Sequence, residues 1–323
     1  MSAIRSQPDL PESSPSVFIT GATGFIGRHL ASKLLEQGHG VQVMIRPDIQ
    51  TDERIPRGCE QVPIGLTDVD KLTGIVATSS AVIYCAGSVR GRNAADFATA
   101  NIEGVRAMLE ALQRSGNAPP VILLSSLAAS RPQLSDYARS KYEGEQLLRG
   151  NTLLPWTIFR PPAVYGPGDR EMLPILKLAR RGLLLHAGPR DQHLSLLHVD
   201  DLAGACAAWL SQPQQCLYQT YAIDDGTPGG YDWAGIGEAV SEKEVRMFKL
   251  PRFLLDFTAR ANLLFSSLLG YAPMLTPGKV RELVQADWLC DNSAFRRATG
   301  WKPRLDLKRG AERLFSEAPK ASS

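Results

Sequence analysis

The segment Ser16-Val17-Phe18-Ile19-Thr20-Gly21-Ala22-Thr23-Gly24-Phe25-Ile26-Gly27 decides the fold. Val17 to Thr20 is a short apolar run of strand type, and a glycine turn follows it. Ile26, Leu30 and Leu34 then recur every fourth residue, the period of a helix with one apolar face, until Gly38 ends it. A strand, a glycine turn and a helix in that order build a phosphate cradle. Glycine permits the sharp turn and the close backbone approach, and the helix N-terminus offers unpaired N–H groups with a partial positive charge. Gly21, Gly24 and Gly27, with Thr23, Phe25 and Ile26 between them, therefore point to the pyrophosphate of a dinucleotide.

Outward from this turn, Val41–Ile45, Gln61–Ile64, Ala81–Cys85, Val121–Leu124 and Trp156–Phe159 read as further strands. Amphipathic stretches separate them, among them a long helix through Asn101, Val105 and Met108. Such alternation specifies an α/β fold, a Rossmann doubly wound parallel sheet. Past Arg160 the alternation breaks into helices near 171–181 and 200–210, a strand at 218–223 and shorter pieces. The expected organisation is a polar flexible tail at 1–15, an NAD(P)-binding Rossmann domain at 16–165 to which later segments are free to return, and a smaller, mainly substrate-binding C-terminal lobe at 166–323.

The 323 residues are 44% apolar and 21% charged, enough for a sizeable core and ordinary for a globular protein. Lys and Arg total 36 against 33 Asp and Glu, so no broad basic field is available for nucleic acid. Five scattered cysteines without a C-x-x-C argue against a disulfide framework or a zinc site, and His186, His193 and His198 lack metal-ligand spacing; no metal is expected. The first sixteen residues lack the apolar run of a signal peptide. Phe253–Leu269 is interrupted by Asp256, Arg260 and Asn262, short of the roughly 20 apolar residues that span a bilayer. The expectation is a cytoplasmic protein in which that run buries its apolar face in the small lobe, with peripheral contact to a membrane surface as the other reading.

Tyr137-Ala138-Arg139-Ser140-Lys141 is a Y-x-x-x-K pair in a helical stretch, and the i, i+4 spacing sets phenol and ammonium on one face. A phenol with a pKa of about 10 is a poor base at neutral pH, and a neighbouring cation lowers it into the acid–base range. Ser125 and Ser126 close the strand at 121–124, at the carboxyl edge where open α/β sheets bind ligands. After the strand at 41–45 comes Arg46, where an acid would take the ribose 2′-hydroxyl of NAD. A guanidinium pairs with a 2′-phosphate through charge-assisted bonds, so Arg46 favours NADP, while Asp48 keeps NAD open.

In order along the chain, TGATGFIG, ANIEGVRAMLEA, YARSK, RPPAVYGPGDR, LLHVDDLAGA and GWKPRLDLKRGAERL resemble the extended branch of the short-chain dehydrogenase/reductase superfamily, the NAD-dependent epimerase/dehydratase family, over nearly the whole chain from Ser16. The resemblance implies that Tyr137 exchanges a proton with the substrate oxygen. Lys141 would hold the nicotinamide ribose and depress the tyrosine pKa. Ser126 would fix the substrate oxygen, with Ser125 as the alternative. Asn101 matches the family's active-site Asn, which holds a water or bends its helix; a satisfied mid-helix Asn is the plain alternative. Ala86 and Gly87 would line the ribose, and Pro161 and Val164 the nicotinamide. The acids of His198-Val199-Asp200-Asp201 resemble a family motif, and an acid before a helix acts most simply as an N-cap. Trp233 and Trp301 read as packing residues. The resemblance admits a homodimer.

Departures from the family pattern narrow the substrate. Ala163 stands where nucleotide-sugar members carry an Asn that contacts the diphosphate, and a methyl group donates nothing. Ser126 and Tyr137 stand only eleven positions apart, fewer than in many sugar enzymes. Gly65 replaces the adenine-contacting Asp before Leu66. The R-P-P-x-V-Y-G form at 160–166 looks more like 3β-hydroxysteroid dehydrogenases and dihydroflavonol-type reductases. The expected function is an NAD(P)-dependent oxidoreductase interconverting a secondary alcohol and a ketone on a small, largely apolar substrate, with Tyr137 as acid/base. A nucleotide-sugar epimerase or dehydratase is the second reading, and a non-catalytic NADP-binding sensor or scaffold the third.

Overall fold

Uninterrupted aliphatic runs form strands buried on both faces, because a parallel sheet is covered by helices above and below. The computed structural model describes residues 16–316; the tail at 1–15 lies outside them. The first half runs β1 (Ser16–Thr20), α1 (Phe25–Glu36), β2 (Val41–Ile45), β3 (Glu60–Pro63), α2 (Val69–Val76), β4 (Ser79–Tyr84), α3 (Ala94–Ala98), α4 (Gly104–Arg114), β5 (Val121–Leu124), α5 (Asp136–Arg149) and β6 (Trp156–Arg160). It continues as β7 (Ala163–Tyr165), α6 (Leu173–Arg180), β8 (Leu183–His186), β9 (His193–Leu194), β10 (Leu196–His198), α7 (Val199–Ser211), β11 (Gln219–Ala222) and α8 (Trp233–Val240). The described residues end with β12 (Arg246–Lys249), α9 (Arg252–Leu269), α10 (Pro277–Leu283), β13 (Asp287–Trp288), α11 (Ser293–Thr299) and α12 (Leu307–Ser316).

Seven parallel strands pair in the order β11-β6-β5-β4-β1-β2-β3. Strand alternation splits the core in two. Val17, Ile19, Ile83, Ile122 and Phe159 pack with Leu30 and Leu34 of α1 and with Leu202 and Trp209 of α7 on one face. Phe18, Val82, Tyr84, Leu123 and Ile158 pack with Leu72 of α2 and with Met108 and Leu112 of α4 on the other. The sheet thus takes β11, and one of its helical layers takes α7, from beyond residue 165.

A smaller cluster of Tyr165, Leu176, Leu184, Trp233, Ile236 and Leu314 centres the remaining lobe. Trp233 stacks on His186 and donates its indole N–H to Gln192 Oε1 at 3.0 Å, and Trp301 packs on Phe295. His198, not an acid, caps α7: its Nδ1 accepts from Asp200 N at 3.2 Å. Asp200 is turned instead to His29 of α1 at 2.8 Å and Arg313 at 2.9 Å, and Asp201 accepts the backbone N–H groups of Arg304 and Leu305. The acids read as caps therefore join the lobes.

Among the described residues no helix is long and apolar enough to cross a membrane. The expected burial of the 253–269 run is corrected. In α9 only Leu255, Ala259 and Ser266 are buried, and its larger apolar side chains face outward.

Fully buried Glu145 of α5 accepts from Nε and Nη2 of Arg160, at 2.8 and 2.5 Å, and from the Ser125 hydroxyl at 2.6 Å. This knot fixes the ends of β5 and β6 against α5. Glu145→Ala strands the guanidinium and should lower the unfolding free energy by about 3 kcal/mol. Urea denaturation reads this directly, and a loss within about 0.5 kcal/mol would show that the pair contributes little.

Candidate active site

Strand order reverses between β1 and β4, so a crevice opens at their carboxyl ends. Gly21 sits there at φ +72°, and a Cβ on it would meet Ala86 N at 2.7 Å. Thr20 Oγ1 accepts from Cys85 N at 3.2 Å and Ala86 N at 3.0 Å, which draws the loop after β4 against the turn. Gly27 lets α1 close on the turn, since a Cβ there would lie 2.3 Å from Gly21 O. The N-cap of α1 is Gly24, which brings no capping side chain, and no acid stands in the first turn. Thr23, Gly24, Phe25 and Ile26 all keep solvent access. The cradle has the shape and the uncapped donors that a pyrophosphate needs.

Tyr137 and Lys141 lie one turn apart on α5, which Ser135 caps, its side chain accepting from Ala138 N at 3.0 Å. Lys141 is buried, and its Nζ donates to Leu124 O at 3.1 Å, using one of three N–H donors. Gly87 passes directly over it, leaving no room for a side chain: a Cβ would lie 2.8 Å from Nζ. Asn101 is buried in a π-helical turn, 99–103, between α3 and α4. Its amide donates to Ser140 Oγ at 2.9 Å and Ser88 O at 3.1 Å, while its Oδ1 accepts from Ser88 N at 3.2 Å. Asn101 thereby bends its helix and clamps the loop after β4 to α5. The freed Ala100 carbonyl accepts from Tyr84 Oη at 2.7 Å, and Gly144 yields space to the Asn101 carbonyl.

Strand β5 ends at Leu124, and the two serines after it part company. Ser125 is committed to Glu145, so its role as an alternative to Ser126 is withdrawn. Ser126 caps the short turn 127–130, accepting from Ala128 N at 3.2 Å, and its hydroxyl lies close enough to Tyr137 to favour the phenolate. Pro161 stands alongside, its carbonyl accepting from Leu127 N at 2.8 Å; Val164 lies in β7 against the core beneath α1.

The electrostatics revise one expectation. Burial pushes the Tyr137 phenol up to about 12; Ser126 works against this rise, and the carboxylate of Glu282 adds to it. Lys141 is not among the groups that move the phenol, and burial lowers its own pKa to about 8. Half-buried Tyr137 rests against Phe97, with ring centroids 6.1 Å apart.

Arg46 is exposed just past β2, near enough to lower the pKa of Asp52, whose main partner is Arg54. Asp68 caps α2 by accepting from Lys71 N at 3.3 Å, so Gly65 begins a plain turn. Three groups went unread in the sequence. His29 bonds the Pro167 carbonyl at 2.9 Å, and Arg28 lies against Gly168, both at the mouth of the cradle. Glu282 of α10 accepts from Ser135 and Lys279 beside the start of α5. Helical spacing places the first two one turn into α1, but only the folded chain brings Glu282 near Tyr137.

The model of the NAD dependent epimerase/dehydratase family matches residues 17–223. A ceramide reductase of Caulobacter vibrioides is 35% identical over 84% of this chain and 85% of its own. A 2-alkyl-3-oxoalkanoate reductase of Stenotrophomonas maltophilia is 25% identical over 92% of this chain and 98% of its own. The crystal structure of a UDP-glucose 4-epimerase from Thermotoga maritima superposes with a TM-score of 0.68 at 19% identity, covering 93% of this chain and 97% of that one, a likeness of fold.

The buried ammonium has a consequence for stability. Lys141 titrates near 8 in the folded apo protein and near 10.5 unfolded, so the unfolded chain binds more protons between those values and stability rises with pH there. Relative to Lys141→Met, the wild-type apo protein should gain about 2 kcal/mol from about pH 8 to about pH 10. The raised phenol pKa opposes this only above about pH 10. Parallel urea titrations of the two proteins measure the difference, and a flat difference would refute the desolvated ammonium.

Proposed function

The chain belongs to the NAD-dependent epimerase/dehydratase family, and we propose that it is an NADP-preferring reductase acting on a ketone of a long, largely apolar molecule. The observation that carries this reading is the juxtaposition of Ser126, Tyr137 and Lys141 beneath the switch-point crevice. Nicotinamide bound there would supply the hydride to the substrate carbon in reduction, or accept it in the reverse direction.

The residues of the chain do the rest. The hydroxyls of Ser126 and Tyr137 bind the carbonyl oxygen. With its pKa near 12 the phenol starts protonated at neutral pH, so Tyr137 begins as the acid and donates to the developing alkoxide. Lys141 is largely protonated below pH 8 and keeps two donors for ribose hydroxyls, while the Ser126 hydroxyl favours the phenolate left after transfer. Gly87 and Ala86 give the ribose access to that ammonium, Asn101 holds their loop in place, and Pro161 and Val164 border the nicotinamide side. Arg46, exposed and past the end of β2, is the group available to a 2′-phosphate.

An apolar substrate is supported from two sides. Ala163 is exposed at the position where a diphosphate-binding Asn would stand, and it donates no hydrogen bond. Ceramide and an alkyl oxoalkanoate, the molecules named for two relatives, both carry hydrocarbon chains, and R-P-P-x-V-Y-G resembles enzymes of bulky apolar alcohols. The nucleotide-sugar reading lacks such support from the residues at 160–166.

Tyr137→Phe should lower turnover by about 10² to 10⁴ while leaving NADPH binding within about threefold. A folded Tyr137→Phe protein with near-full activity would remove the mechanism. Arg46→Asp should cut kcat/KM with NADPH by at least about tenfold and spare NADH. Equal losses with both cofactors would end the phosphate assignment.

A further inference from the structure

We propose that the outer face of α9, with the basic strand that leads into it, docks on an anionic lipid bilayer. Phe253, Phe257, Leu264 and Leu268 follow one another at helical spacing and form one row along α9; Leu254 and Phe265 form the next. All six are exposed, with Phe253 at 76%, Phe257 at 71% and Leu268 at 73% of full accessibility. The opposite face is made of smaller groups. Ala259 packs with Leu255 on Val280 of α10, and Asn262 donates to Leu275 O at 3.0 Å. The helix thus turns its bulk to water and seats its small residues, the reverse of a helix covering a core. An exposed apolar stripe of this size marks an interaction surface.

Charge selects the occupant. From Arg246 to Gly270 the chain carries four basic residues, Arg246, Lys249, Arg252 and Arg260, and a single acid, Asp256, which lies 3.7 Å from Arg252. Strand β12 is exposed throughout and adds Met247 and Phe248 between its cations. An interface with a second copy would be self-complementary and would set this cationic segment against itself. Anionic headgroups instead offset it, and the phenyl and leucyl groups enter the acyl boundary, as in helices that lie in the plane of a membrane. Helix α10, on which α9 rests, holds Ser135, two residues before Tyr137, through Glu282. The inference does not depend on the reductase chemistry.

Co-sedimentation of the full chain with vesicles of phosphatidylcholine, with and without phosphatidylglycerol, tests it. The protein should bind the anionic vesicles at least about tenfold better, and added salt should weaken the binding. Phe257→Ser/Leu268→Ser and Lys249→Glu/Arg252→Glu should each reduce it at least about tenfold, with thermal melting unchanged because these side chains are exposed. Absence of binding to anionic vesicles, or wild-type binding by both double variants, would overturn the proposal. So would a dimer in light scattering that Phe257→Ser/Leu268→Ser converts to monomer, since a second copy would then cover the face.

Discussion

Lys141 brings an ammonium into the floor of the crevice, where its bond to the Leu124 carbonyl replaces only part of the hydration it has lost. Holding a charge there demands support from several elements, since an unpaired buried charge drives local opening. The support is geometric. Gly87 lets the loop after β4 lie on the lysine, Asn101 ties that loop to α5 through Ser88 and Ser140, and Gly144 admits the bulged backbone of the π-turn. On the far side Glu145 and Arg160 lock the strand ends beneath the same helix. A desolvated cation beneath the loop after β4 is a cost that ribose hydroxyls can relieve by taking its remaining donors.

Features that depend on near neighbours in the chain were legible. The β1 run, the glycine spacing and the 3.6-residue period of α1 are local, and the strand, turn and helix they imply are the ones that form. Tyr137 and Lys141 share a face because four residues make one helical turn. Asn101 was recognisable, but whether it held a water, bent its helix or was simply a satisfied polar group was not, since its partners come from other elements. The two serines after β5 show the same limit. Alternation along the chain sends Ser125 to Glu145 and Ser126 to the cleft, and no signal in a Ser-Ser pair reveals where Glu145 will lie.

Helix α9 was misread for a physical reason. Periodicity shows that a helix has an apolar face but not which way the face points. The usual inference turns it inward, yet here Leu255, Ala259 and Ser266 make the packed face and the phenylalanines remain outside. Asp200 and Asp201 differed from expectation because tertiary partners, His29 and the 304–305 backbone, compete with local capping and win. The same competition leaves His198 to cap α7.

The central proposal is net reduction of a ketone, with a nicotinamide supplying the hydride and protonated Tyr137 the proton. Its most direct test is turnover of a long-chain ketone with NADPH deuterated at C4 of the transferred face, followed by mass spectrometry of product and cofactor. The account predicts one deuterium on the carbinol carbon for each NADPH oxidised. Conversion of a nucleotide sugar with the cofactor returned to its starting oxidation state, and no consumption of NADPH with any ketone, would contradict it.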